Sequence, residues 1–192
     1  MKLLLLSSLN DIKEKFLNKT LMEHFIHQYS KKFDVKVCSK FVEVRNLIEH
    51  KYLEKEVDLK MLLPTFKEDF ILVVGSFIAD IDFDKLLLYH TNHSKKCTVV
   101  CRNLVENKTI PIYKLNDKKD IISLNKRRYV SCGTYLFKKG IDFSKFKTLE
   151  NLIEELMAQR ELRAFIHKGY YFRKRQKFDG IKQSSKNKRF VK

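Results

Sequence analysis

Phe70-Ile71-Leu72-Val73-Val74-Gly75 restricts the fold more than any other segment of the chain. It is an uncharged, β-branched run closed by a glycine. A strand with one wet face alternates apolar and polar residues, whereas a continuous run must be covered on both faces, as central parallel strands are. Segments of helical period lie on either side of it. Lys19–Lys31 places Leu21, Met22, Phe25, Ile26 and Tyr29 on one stripe, and Leu149–Arg160 does the same with Leu149, Leu152, Ile153, Leu156 and Met157. Strands alternating with helices imply an α/β domain, with a mostly parallel central sheet and helices on both faces. The 192 residues suffice for one such domain.

The other expected strands are Lys2–Ser7, Val35–Cys38, Thr98–Arg102 and Leu162–His167, with a shorter apolar run at Leu59–Leu63. A helix is expected around Phe41, Val44, Leu47 and Ile48, and another from about Asp84 to His93. Ile110–Lys114, Ile121–Leu124 and Tyr129–Phe137, separated by charged turns, read as an antiparallel or mixed edge. The single domain is expected over residues 1–179, followed by a basic tail over 180–192. No apolar run approaches the roughly 18 residues that span a bilayer. The Leu3–Leu6 run is too short for a signal peptide and suits a buried first strand, so a cytoplasmic location is expected.

Cys38, Cys97, Cys101 and Cys132 have no paired CxxC spacing and read as buried free thiols. His24 and His27, three apart on a helix without an acidic neighbour, read as a partly exposed pair. Ser131-Cys132-Gly133 leads into a strand and is no nucleophile elbow. Lys126-Arg127-Arg128 reads as a solvated turn. Charge is the conspicuous feature. The chain carries +17, and Lys168–Lys192 holds ten Lys or Arg against Asp179 alone. That segment, with Tyr170, Tyr171, Phe172, Phe178 and Phe190 interleaved, is either a solvated tail or a contact for a polyanion such as RNA. Lys168, Arg173, Lys174, Arg175 and Lys177 are the candidate contacts.

The order of words over Asp69–Asp179 resembles the sugar-phosphate nucleotidyltransferase family. Asp69–Ser76 followed by Asp80-Ile81-Asp82-Phe83-Asp84-Lys85-Leu86-Leu87 is similar to that family's strand, acidic turn and helix. Ser131-Cys132-Gly133-Thr134-Tyr135-Leu136-Phe137 resembles its later strand, and Leu149–Met157, Leu162–Lys168 and Gly169-Tyr170-Tyr171-Phe172 its closing helix, strand and glycine-tyrosine end. The resemblance implies transfer of a nucleotide from a triphosphate to a sugar phosphate, with a glycine-rich phosphate loop and two carboxylates on Mg²⁺.

The chain departs from that pattern at three places. No glycine precedes Gly75, so the first loop, Leu6-Ser7-Ser8-Leu9-Asn10-Asp11-Ile12-Lys13, lacks the bare backbone that phosphates approach. Ser76 and Arg173 stand where the resemblance implies metal-binding aspartates. Asp80 and Asp82 are the available substitutes, but capping of the following helix by Asp82 or Asp84 accounts for them more simply. Lys13, Lys15 or Lys19 could supply a phosphate-binding cation. The expectation is a non-catalytic scaffold with no cofactor and with protein subunits as partners. It resembles the gamma and epsilon subunits of the exchange factor for translation initiation factor two, which carry arginine at the position matching Arg173. The alternatives are an atypical Mg²⁺-dependent nucleotidyltransferase and a basic RNA-contacting protein.

Overall fold

The computed structural model describes residues 2–6, 15–16, 18–38, 68–75, 77–103, 112–124 and 129–172. In chain order the strands are β1 (Lys2–Leu6), β2 (Lys15–Phe16), β3 (Lys19–Thr20), β4 (Asp34–Cys38), β5 (Phe70–Val74), β6 (Ile78–Ala79), β7 (Cys97–Asn103), β8 (Ile112–Leu115), β9 (Ile121–Leu124), β10 (Tyr129–Phe137), β11 (Leu162–Ile166) and β12 (Tyr171–Phe172). The helices are α1 (Leu21–Tyr29), α2 (Phe83–Thr91) and α3 (Leu149–Ala158). The expected helix around Phe41–Ile48, the Leu59–Leu63 run, the Lys126–Arg128 turn and the 180–192 tail lie outside the described residues.

The main sheet runs β11-β7-β10-β5-β1-β4, with β8 attached to the start of β10 and β9 paired to β8. β4, β1 and β5 are parallel, β11 and β7 are parallel, and β10 is antiparallel to both of its neighbours. Five of the six strands on that path therefore point one way. β10 corrects the expectation of an edge: it lies between β5 and β7, with Cys132–Phe137 buried throughout, and only β8 and β9 form the antiparallel appendage.

Alternation along the central strands feeds two cores. Leu3, Leu5, Ile71 and Val73 face Met22 and Phe25 of α1 and Leu86 of α2. Leu4, Phe70 and Leu72 face the other way, toward Leu152, Ile153 and Leu156 of α3. Burying an apolar side chain of this size contributes roughly 1.5–3 kcal/mol, so helix stripes and strand runs stabilise one another. Local signals start the helices. Thr20 and Glu23 form a capping box on α1, Asp82 caps α2 and Thr148 caps α3. Cys97, Cys101 and Cys132 are buried free thiols, pushed up by burial. His24 is half-buried and His27 exposed, as their spacing implied.

A polar cluster interrupts the apolar core where α2 ends. The Thr98 hydroxyl lies 2.7 Å from His90 Nδ1 and 2.8 Å from His93 Nε2. One hydroxyl has one proton, so it donates to one imidazole and accepts from the other. The remaining nitrogens, His90 Nε2 and His93 Nδ1, are buried and have no hydrogen-bond partner among the described residues, the Asp69 carboxylate standing 3.9 Å from the former. Burial pushes both imidazoles down to about 4. Asp69 partly opposes this at His90 and Asp120 at His93, while Lys138 and Arg163 add to it.

Both histidines thus fold neutral, and the unfolded chain takes up their protons first. Their stabilisation is complete above about pH 6.5 and is lost as pH falls toward about 4. Urea unfolding should show stability falling by roughly 2–4 kcal/mol between pH 7 and pH 5. The His90→Gln/His93→Phe variant should lose most of that slope. A wild-type midpoint unchanged across this range would contradict the account.

Candidate functional site

In open α/β sheets ligands gather beyond the carboxyl ends of the parallel strands. Here those ends are Leu6, Cys38, Val74, Asn103 and Ile166. Gly75, at φ 76°, turns the chain off β5, a conformation that favours glycine. Phe77 then plugs the α1 side of the sheet, its ring 5.7 Å from Phe25 and 5.1 Å from Tyr171. The chain next forms β6, which pairs antiparallel with β12: Ala79 opposes Tyr171 and Ile78 opposes Phe172. The segment after Ser76 and the segment before Arg173 are therefore side by side. Ser76 and Arg173 themselves lie outside the described residues, as do Lys13, Lys174, Arg175 and Lys177.

Asp80 sits where β6 ends. Its N–H donates to the Tyr170 carbonyl at 3.3 Å, and its Oδ1 lies 3.3 Å from His167 Nε2. The same Nε2 lies 2.9 Å from the Tyr170 carbonyl, and the His167 backbone N–H donates to the Cys101 carbonyl at 2.7 Å. The carboxylate also occupies the space a side chain at Gly169 would need, since a Cβ there would meet Asp80 Oδ1 at 2.1 Å. Asp80 is consequently a structural tie between the ends of β6 and β11. The adjoining Ala79 carbonyl accepts from Gln28 Nε2 at 2.8 Å and from the Tyr29 hydroxyl at 3.4 Å. Burial, and then the Asp80 charge, push the Tyr29 phenol well up.

Asp82 is occupied as well. Its Oδ1 accepts the Lys85 N–H at 3.0 Å and its Oδ2 pairs with Lys85 Nζ at 2.9 Å. The Lys85 N–H bond, foremost, holds this carboxyl below the usual range. Asp84 pairs with Lys32 at 2.5 Å. Asp82 and Asp84 are thus each turned to a lysine, and Asp80 to His167. Among the described residues no group of three or more His, Cys, Asp or Glu could hold a metal ion.

The nearby floor comes from β10 and β7. Gly133, at φ 81°, takes part in a register shift between Ser131 and Tyr135. The Tyr171 hydroxyl donates to the Cys132 carbonyl in this stretch at 2.9 Å, and Arg102 lies over the Tyr171 ring at 5.0 Å. Lys19 is exposed in β3, Lys15 is placed by its backbone in β2, and Lys168 is exposed in the turn before β12. His167, Gly169, Tyr171 and Arg102 form this end of the sheet without having been singled out in the sequence as one site. The signal available was Gly169, one of only five glycines, placed directly after a strand.

No protein-family model and no curated protein sequence matches the chain. Solved structures do. A protein assigned as a glucose-1-phosphate thymidylyltransferase from Bacillus anthracis superposes with TM-score 0.70 at 11% identity, covering 88% of each chain. HddC from Yersinia pseudotuberculosis gives 0.67 at 12%, covering 89% of this chain and 92% of its own. A CMP:2-keto-3-deoxy-manno-octonic acid synthetase, complexed with CTP, gives 0.64 at 12%, covering 87% and 90%. At such identities the likeness concerns the fold, and the fold is nucleotide-sugar-transferase-like. Among the described residues no helix is long and apolar enough to cross a membrane.

Gly169→Ala should displace the exposed Asp80 carboxylate from His167 and lower stability by about 0.5–1 kcal/mol. His167→Ala should release the same tie. Thermal melts, with amide exchange at residues 78–80 and 170–172, check both. Unchanged protection in the two variants would mean that the tie does not hold the ladder.

Proposed function

We propose that the chain is a non-catalytic, nucleotidyltransferase-like scaffold that works through protein partners. The carrying observation is the commitment of Asp80. The carboxylate closest beyond Ser76 lies 3.3 Å from His167 Nε2 and against Gly169, and Asp82 caps α2. Recruiting Asp80 to a metal would take it from His167, whose Nε2 keeps the Tyr170 carbonyl, and from its place against Gly169. The sequence adds Ser76 and Arg173 at the two implied metal positions, and a first loop without glycine. An arginine repels a divalent cation and serves better as a protein or phosphate contact.

The finer reading places the chain beside the gamma and epsilon subunits of the exchange factor for translation initiation factor two. It rests on Phe172-Arg173 and the decayed loop. A cytoplasmic location and protein subunits as partners go with it. The competing reading, an atypical sugar-phosphate nucleotidyltransferase, draws support from the activities assigned to two of the similar structures. It requires Asp80 to leave His167 when Mg²⁺ and a triphosphate arrive.

Calorimetry with Mg²⁺ and each of the four nucleoside triphosphates should give no binding that Asp80→Asn abolishes. A panel of sugar phosphates should give no pyrophosphate release. Tagged protein recovered from its own cell should bring defined subunits with it, initiation-factor subunits on the finer reading. Turnover lost in Asp80→Asn would replace the scaffold reading with the enzymatic one.

A further inference from the structure

The opposite end of the sheet, where the parallel strands begin, gathers cations from separate parts of the chain. β11, β7 and β10 are neighbours. Arg160 precedes β11, Lys95 and Lys96 precede β7, and Lys138 and Lys139 follow the antiparallel β10. All five therefore lie along one rim. The loops are stitched together by backbone bonds: the Cys97 N–H donates to the Glu161 carbonyl at 3.0 Å and the Lys138 N–H to the Lys96 carbonyl at 2.9 Å. With strands about 4.8 Å apart, the row spans roughly 10 Å.

Two acidic side chains of this rim accept backbone N–H groups, while Glu68 is exposed beside Asp69 and Asp142 pairs with Lys145. The Glu161 carboxylate accepts the Lys96 backbone N–H at 3.1 Å, and Asp69 accepts the Lys139 backbone N–H at 2.9 Å. Two lysines are fixed by carbonyls rather than carboxylates, Lys95 Nζ on Arg160 at 2.7 Å and Lys138 Nζ on His93. Among the described residues the exposed side chains of Lys96, Lys139 and Arg160 have no carboxylate within ion-pair distance. Arg160 holds φ 58° just past the end of α3, where glycine or asparagine is usual. A side chain that is costly there supplies one of the cations.

We propose that this rim is a docking edge for the phosphodiester backbone of RNA. Backbone recognition needs spaced, unneutralised cations and little else. A protein interface would be expected to present an aromatic or aliphatic anchor, and a membrane surface an apolar face to insert. The exposed large apolar side chains of the described residues, Leu88, Ile122 and Tyr170, lie on α2, on β9 and in the turn before β12, not on these loops. The rim is distinct from the basic tail and from the Asp80 end, so it stands or falls independently of the scaffold reading.

The test is fluorescence anisotropy of the full-length protein with a labelled single-stranded RNA of about 20 nucleotides across a salt series. Lys96→Glu/Lys139→Glu/Arg160→Glu should weaken binding at least roughly tenfold and flatten the plot of log affinity against log salt by about 2–3. The reversal Lys114→Glu/Lys118→Glu/Lys147→Glu changes net charge equally and should cost less than about threefold. A Gln set at the three rim positions, with melting curves, guards against misfolding of the Glu set. Equal effects of the two reversals would assign binding to overall charge or the tail and overturn the proposal. So would absent RNA binding, or a preference for anionic lipid vesicles over RNA.

Discussion

Burial of β1 and β5 on both faces is the constraint from which the rest of the architecture follows. Leu3, Leu4, Leu5, Ile71, Leu72 and Val73 are wholly inaccessible, and neighbours in sequence go to opposite cores. Such strands cannot carry a chemical group in their interiors, because an uncompensated polar atom there would cost several kcal/mol. Polar chemistry is forced to the two ends of the sheet. Of the polar groups buried among the described residues, His90, His93 and Thr98 sit at one end and share a single hydroxyl, while Thr134 lies within β10. At the other end the chain builds the β6–β12 ladder and its Asp80–His167 tie.

The elements most legible in the sequence were those whose side chains state their own environment. Phe70–Val74 had to be central because nothing in it could face water, and the stripe of Leu152, Ile153 and Leu156 had to be helical. Strand direction is a different kind of information. Tyr129–Phe137 has the composition of a two-sided buried strand from Cys132 onward, and that run could have placed it at the centre. Its flanking charged turns suggested an edge instead. Its position follows from pairing with both β5 and β7, distant in sequence, which no local period reports.

The candidate site was partly legible for the same reason. Asp82 as a helix cap needs only the residues that follow it, and the expected cap is present. Asp80 could not be read locally. Its partners His167, Gly169 and Tyr170 arrive from nearly ninety residues away, through parallel pairing of β11 with β7. A glycine beyond a strand signals a close approach but does not say what approaches. Here it is a carboxylate, and that distinguishes a residue used for architecture from one left free for a ligand.

This distinction bears on how the carboxyl end of a nucleotide-sugar-transferase-like sheet is held together. In a metal-binding site two carboxylates stay mutually repelling until a cation joins them, so the flanking segments are held partly by the ligand. The segments beyond β5 and β11 here are joined by the chain itself. A ladder, an imidazole, an edge-on glycine and the Phe77–Tyr171 ring contact connect them. Each of these is worth about a kilocalorie or so, and together they give the end of the sheet a resting geometry that asks for no bound ion. Such contacts hold the two segments together through residues 77–80 and 167–172.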